Sequence, residues 1–341
     1  MGRPGNPPGK GRPREYPGTP GGEGRKGPLL KAVTAFLNLV EVGLGCIPGV
    51  KGFYRRELER LEARERVLPC DPGQGALEGL RIALVSDIHA GPFLGEGQAR
   101  LILEKVRAAR PEMIFLAGDL IAQGDRDLDL LAPFLEGLDS PLGVYAVTGN
   151  HEFFHGDPEI FTERLSSAGI QVLRNRGVRV ERGEGTFWIC GVDDPGEGNP
   201  DLGAALEGKA AGEPALLLCH HPDFFPVAAR EGVVLQVSGH THGGQVRLPG
   251  WVPMRHTRLG YLEGLFREGE SLLYVSRGIG AILLPLRLGA PAELPILSFR
   301  GGIELEPVNL EGFVVLPGED EGVPVHAVHA GGPAARGEGH G

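Results

Sequence analysis

From Leu80 onward the chain alternates short apolar runs with polar clusters. LRIALVS (80–86) leads into Asp87-Ile88-His89, MIFLAG (113–118) into Asp119, and VYAVTG (144–149) into Asn150-His151-Glu152. FWICGV (187–192) meets Asp193-Asp194, ALLLC (215–219) meets His220-His221-Pro222, and VVLQVSG (233–239) meets His240-Thr241-His242. SLLYVS (271–276) meets Arg277-Gly278. Apolar runs of this length without alternation are the pattern of strands buried on both faces. Between the early runs, 98–109 places Leu101, Ile102, Lys105 and Val106 at helical spacing, and 128–138 and 158–168 read similarly. Strand, helix, strand predicts a largely parallel sheet. The second half has fewer helical patterns and more Gly, which predicts further strands and a second sheet. Residues 58–68 (LERLEARERVL) read both ways: charge content favours helix, a place beside 80–86 favours strand.

Composition changes the picture at the ends. The 341 residues include 56 Gly and 29 Pro, about a quarter of the chain and near the border of low complexity. Residues 1–28 hold 9 Gly and 7 Pro, and residues 317–341 hold 7 Gly and 3 Pro. Neither end has the apolar content to offset the entropy of ordering, so both are expected to be disordered. That leaves 51–316 as the folded domain. Between leader and domain, residues 29–50 are apolar but interrupted by Lys31, Asn38 and Glu41. They read equally as a signal-anchor, an interfacial helix, or a helix packed on the body.

Charge is divided too. The leader carries six Lys/Arg against two Glu, while the whole chain is −10. An acidic body argues against a stable nucleic-acid partner. The basic leader suits an anionic membrane surface, so peripheral membrane contact through 1–50 is an expectation. The expected location is cytoplasmic, at the membrane where that contact is made. No run of 18 uncharged apolar residues exists, so a multi-span membrane protein is excluded. Cys46, Cys70, Cys190 and Cys219 form no CxxC pair, and Cys190 and Cys219 read as small buried hydrophobes.

The polar clusters carry the chemistry. In open α/β sheets the carboxyl ends of strands line the ligand site. Here those ends supply Asp87, His89, Asp119, Asn150, His151, His220, His240 and His242, five of the eleven histidines among them. Asp, Asn and His together are an N/O ligand set suited to Mn, Fe, Zn or Ni. Eight residues are too many for one tetrahedral ion, whereas two ions about 3.5–4 Å apart sharing a carboxylate use them well.

The strings SDIHAG (86–91), GDL (118–120), GNHE (149–152), HHPD (220–223) and GHTHGGQ (239–245) occur in order over about 80–300. Together they resemble the five-motif signature of the calcineurin-like metallophosphoesterases. VSRGIG (275–280) and PAELPILSF (291–299) are similar to the bacterial branch of membrane-associated phosphodiesterases and UDP-diacylglucosamine pyrophosphatase-like enzymes. The resemblance implies an α/β fold, a four-layer α/β/β/α sandwich with a dinuclear metal site at strand carboxyl ends. It implies two divalent ions, Mn favoured. Asp87, His89 and His242 would hold one, Asn150, His220 and His240 the other, and Asp119 both. His220 rather than His221 is chosen because the pattern is His-x-Pro. His151 would be the catalytic histidine that is not a ligand. The implied activity is hydrolysis of a phosphodiester or pyrophosphate by metal-activated hydroxide, on a phosphorylated small-molecule or lipid-linked substrate or a nucleotide. A phosphomonoesterase and a non-catalytic metal-binding scaffold are the alternatives. Among other polar residues, Glu152 is expected to orient its neighbours or cap a helix. Asp193 and Asp194 are expected in turns, and Arg277 in a structural ion pair. His155 and His256 read as cleft-lining or as exposed loop.

Overall fold

A computed structural model describes residues 36, 39–47, 49–61, 63–303 and 326–328. Two sheets stack face to face. The first has the order β1 (Ala63–Cys70), β12 (Leu294–Gly301), β2 (Arg81–Val85), β3 (Met113–Ala117), β4 (Val144–Val147) and β5 (Gln171–Val172). All its neighbours are parallel except β12 against β2. The second has the order β13 (His326–Val328), β10 (Gly264–Glu268), β11 (Ser271–Val275), β9 (Leu235–Ser238), β8 (Ala215–Leu218), β7 (Gly185–Gly191) and β6 (Arg176–Arg182). Its centre, β11 to β7, is parallel.

Side-chain alternation assigns the faces. On β2, Ile82 and Leu84 enter the core between the sheets, where they join Leu216, Leu218 and Val237. Ala83 and Val85 face the other way, onto Ile102 of α2 (Glu96–Ala108), Leu131 of α3 (Asp127–Leu135) and Phe161 of α5 (Pro158–Ser167). On the far side, Leu217 and Leu273 pack with Ala205 of α6 (Leu202–Ala205) and Phe225 of α7 (Phe225–Arg230). The result is the expected helix, sheet, sheet, helix order. The short helix α4 (Asn150–Phe154) carries two residues of the site, and α1 (Val50–Glu59) precedes β1.

Three expectations need correction. Residues 58–68 divide, with α1 ending at Glu59 and β1 starting at Ala63. β1 does not lie beside β2, because β12 stands between them. The physical reason is burial: six of the eight residues of β12 are buried, against two of eight in β1, which suits an edge. In the 317–341 tail, which the composition marks as disordered, 326–328 form β13 on the open edge of β10. An edge strand offers unpaired backbone groups that a short segment can satisfy. The rest of the tail and the 1–28 leader lie outside the described residues. So does most of 29–38. The described part of the apolar segment is helical from 39 to 45. Cys70, Cys190 and Cys219 are buried free thiols, and Cys46 is exposed.

Candidate metal centre

Each cluster leaves the carboxyl end of a strand: Asp87 and His89 after β2, Asp119 after β3, Asn150 and His151 after β4, His220 after β8, His240 and His242 after β9. Five of these turn the chain sharply. Asp87, His89, Asp119, His240 and His242 have φ of 51°, 46°, 53°, 71° and 52°. Left-handed backbone at non-glycine residues costs on the order of 1–3 kcal/mol each and concentrates at functional sites. Two glycines keep the crossing strands close. A Cβ on Gly149 would collide with the Asp119 carboxylate, and one on Gly239 with the Asp87 carboxylate.

The side chains converge in three overlapping groups. Donor atoms of Asp87, His89 and His242 lie within 4.8 Å of one another, as do those of His89, Asp119 and His151, and those of Asp119, His220 and His240. Asn150 joins the last group, with its Oδ1 2.7 Å from Nδ1 of His240. Asp119 thus links the second group to the third, and His89 links the first to the second. All eight sequence-marked residues are brought together. His151 stands closer to the ligand positions than its expected role required, with its ring centroid 4.4 Å from that of His89.

The donor chemistry fits divalent cations. Nδ1–H of His220 donates to the Ala117 carbonyl at 2.7 Å. In the neutral ring, Nε2 is then a lone pair, and it faces Oδ2 of Asp119 at 3.2 Å. Nε2 of His89 and Nε2 of His242 face each other at 3.0 Å. The contact of His220 with Asp119 sets electron pairs against each other and is repulsive unless a proton or a cation lies between them, while the two Nε2 atoms of His89 and His242 share a single proton or face a cation. Oδ2 of Asp87 is buried with no hydrogen-bond partner, a cost that a bound cation removes. Burial holds His89, His240 and His242 well below the ordinary imidazole value, which keeps their lone pairs available. Burial pushes Asp87 up to about 6. Burial alone would also raise Asp119, but the surrounding rings, His220 foremost, hold it well below the carboxylate range. Burial would lower His220, and Asp119 overrides it and raises it.

Neighbouring residues hold this array. Glu152, fully buried, accepts the N–H groups of Gly149, Asp119, Leu120 and Ile121, which fulfils its expected orienting role. His221 caps the turn that follows it through Asp223 N–H and stacks at 4.3 Å on His240. Asp194 accepts from Gly196 and Glu197 in a turn, and Asp193 pairs with Arg174. Arg277 pairs with Glu293 at 3.0 Å and Glu263 at 3.6 Å, the expected structural role. His155 and His256 flank the array, with centroids 4.9 Å from His151 and 5.7 Å from His240.

Two further contributors are Arg287, which lies outside every motif, and Asp223, which closes the HHPD string without having been singled out. Arg287 is buried behind His242. It donates to the carbonyls of His242, Gly280, Arg277 and Ala290, with Nη2 3.1 Å from His242 Nδ1. Asp223 accepts from Thr257, Arg258 and Leu259, which anchors the loop carrying His256. A cavity of about 650 Å³ between Glu112 and the 182–185 turn lies at the amino end of β3, away from this array.

Comparison with known proteins matches the calcineurin-like phosphoesterase family over residues 80–244. The chain is 29% identical over 254 residues to the uncharacterized metallophosphoesterase YkuE of Bacillus subtilis, covering 72% of this chain and 89% of that one. It is 31% identical over 232 residues to an uncharacterized metallophosphoesterase of Aquifex aeolicus, covering 65% of this chain and 85% of that one. It is 35% identical over 246 residues to the transmembrane protein with metallophosphoesterase domain of Danio rerio, covering 67% of this chain. Of that longer relative the chain spans only 54%.

Proposed function

The chain belongs to the calcineurin-like metallophosphoesterase family, metal-dependent phosphoric ester hydrolases, and from that premise we propose that it cleaves a phosphodiester or pyrophosphate bond at a two-metal centre. The observation that carries this reading is the place of Asp119 between two donor groups, with His89 and His151 on one side and His220 and His240 on the other, His89 in turn grouping with Asp87 and His242. Asp87, His89 and His242 would hold one ion, Asn150, His220 and His240 the other, and Asp119 both. Divalent ions bound there would lower the pKa of a water towards neutrality and offset charge on the phosphoryl oxygens. The N/O donor set suits Mn, Fe, Zn or Ni, and Mn is the proposed occupant.

His151 is the proposed proton donor. Its backbone N–H donates to Asp119 Oδ1 at 2.8 Å, and its Nδ1 lies 3.0 Å from the Ala122 carbonyl. Donation from Nδ1 to that carbonyl fixes the ring, so the proton delivered to the leaving oxygen would be the one that Nε2 carries in the imidazolium form. His155 and His256 would line the approach from either side. The diester preference rests on the arginines. Arg247 and Arg277 are committed to Glu263 and Glu293, and Arg287 to backbone carbonyls. A monoester dianion asks for more free positive charge than a diester monoanion.

The test is turnover of an aryl phosphodiester against the matching monoester by the metal-loaded protein. Faster diester hydrolysis supports the reading. Faster monoester hydrolysis makes the protein a phosphomonoesterase, and no hydrolysis of either by the loaded protein makes it a scaffold.

A further inference from the structure

His256 is exposed, yet its ring stands 5.7 Å from that of His240 and nearly perpendicular to it. Residues 252–263 around it contain no helix or strand, but the stretch that follows His256 is firmly held. The fastener is Asp223, buried in the turn after His221. Its Oδ1 accepts the Thr257 hydroxyl and Leu259 N–H, and its Oδ2 accepts Arg258 N–H at 2.7 Å. Tyr261 N–H closes the loop on the Thr257 hydroxyl oxygen at 3.2 Å. Tyr261 is itself buried against Phe225 and Phe266. The Thr241 hydroxyl, one residue beyond His240, donates to the Leu262 carbonyl. The frame beside His256 is thus tied to both strings that carry His220 and His240. His256 has a φ of 51°, and left-handed backbone at a non-glycine residue concentrates at functional sites. Burying a carboxylate to hold a loop also costs desolvation. An exposed ring adds nothing to the core that would explain either cost.

We propose that His256 binds the substrate, donating a ring N–H to a non-bridging oxygen of the phosphoester, and that Asp223 is the residue that positions it. This role rests on the phosphoesterase reading of the metal centre. Arg247 and Arg277 are committed to carboxylates, and Arg287 to backbone carbonyls. His256 offers a donor that those three do not, because a neutral imidazole always carries one N–H. The two flanks of the array then differ in task. His151 stands edge-on to His89 on one flank and delivers the proton. His256 stands edge-on to His240 on the other and holds the phosphoryl group. A contact made equally in the bound substrate and in the transition state acts on KM and leaves kcat nearly unchanged. Asp223 touches the backbone beside His256 and not the substrate, so its effect passes through the ring.

The experiment is calorimetric binding of inorganic phosphate to the Mn-loaded full chain, with metal content, kcat and KM for an aryl phosphodiester read in the same preparations. His256→Gly removes the ring and suits the left-handed backbone. It should bind phosphate about tenfold more weakly and raise KM about tenfold, with little change in kcat and the metal content of wild type. His256→Asn keeps an N–H donor and tolerates the same backbone, so it should recover most of the affinity. Thr257→Val removes one hydrogen bond to Asp223 and should raise KM by a smaller factor. Combined with His256→Gly it should add nothing, because the ring through which it acts is gone. Wild-type phosphate affinity and KM in His256→Gly overturn the proposal, as does a wild-type chain that binds no phosphate. Metal lost from His256→Gly makes His256 a ligand and overturns it too. Losses that add in the double variant overturn the positioning role of Asp223. A wild-type chain that binds phosphate through His256 but hydrolyses nothing counts against the phosphoesterase reading alone.

Discussion

The carboxylate of Glu152 accepts the backbone N–H of Asp119 at 2.9 Å, so a residue of the GNHE string fixes the chain that carries the shared carboxylate of the GDL string. The same side chain takes three more N–H groups, from Gly149, Leu120 and Ile121. In Glu152→Gln, one of the two oxygens becomes an amide nitrogen that cannot accept. At least one pair of buried N–H groups then loses its partner, a cost of roughly 2–4 kcal/mol. Urea unfolding should show that loss, and turnover should fall about a hundredfold as Asp119 shifts. Unchanged unfolding and turnover would remove Glu152 from the account.

A methyl group on residue 239 has nowhere to go except into Asp87. Gly239→Ala is expected to keep the fold and lose metal affinity, with turnover down about a hundredfold. Circular dichroism and metal titration together check this. Wild-type metal affinity in the variant would show that the turn after β9 has room to spare.

If His151 delivers the proton, its importance must grow with the basicity of the leaving group. His151→Gln should slow an alkyl leaving group about 10²–10⁴-fold. An aryl leaving group that departs without protonation should slow much less, and bound metal should be unchanged. Equal losses on both substrates, or loss of metal, would make His151 a ligand instead, a role its place beside His89 and Asp119 also permits.

Much of this site is legible in the sequence because strand ends and ligand types coincide. A run such as LRIALVS must stop at a polar residue, and the residue it stops at is Asp87. The same runs give a largely parallel first half and a strand-rich second half, while the four layers are what the family resemblance implies. Four features are hidden. The left-handed backbone at five of the eight site residues leaves no trace beyond the tolerance of Asp and His for that region. Arg287 sits in a loop without a motif, and only tertiary contact turns it toward His242. Glu41 reads as an interruption of an apolar segment, yet it is the anchor that docks that segment. The β12 insertion between β1 and β2 is likewise a matter of which strand is better buried, which local pattern does not rank.

Away from the metals, Arg179 Nε donates to Glu213 at 2.7 Å and holds that carboxyl down to about 2 from its ordinary 4.5. A depressed carboxylate stabilises the fold above its unfolded pKa and loses that effect as pH falls through the folded one. The contribution is therefore complete above pH 4.5 and lost between there and about pH 2. Arg179 is half-exposed, so solvent screening keeps the contribution small. Glu213→Gln should be slightly less stable than wild type near neutrality, with the gap closing over this acid window. A gap that persists at the acid end would mean the pair acts through packing rather than charge.

The central claim is that one carboxylate, Asp119, serves two ions. Elemental analysis of the wild-type chain and of Asp119→Ala, each loaded with Mn and stripped of excess, measures it most directly. The account predicts about two ions per wild-type chain. For the variant it predicts a loss of tightly bound metal, together with loss of phosphodiester hydrolysis. A variant that keeps both ions and the wild-type rate would contradict it.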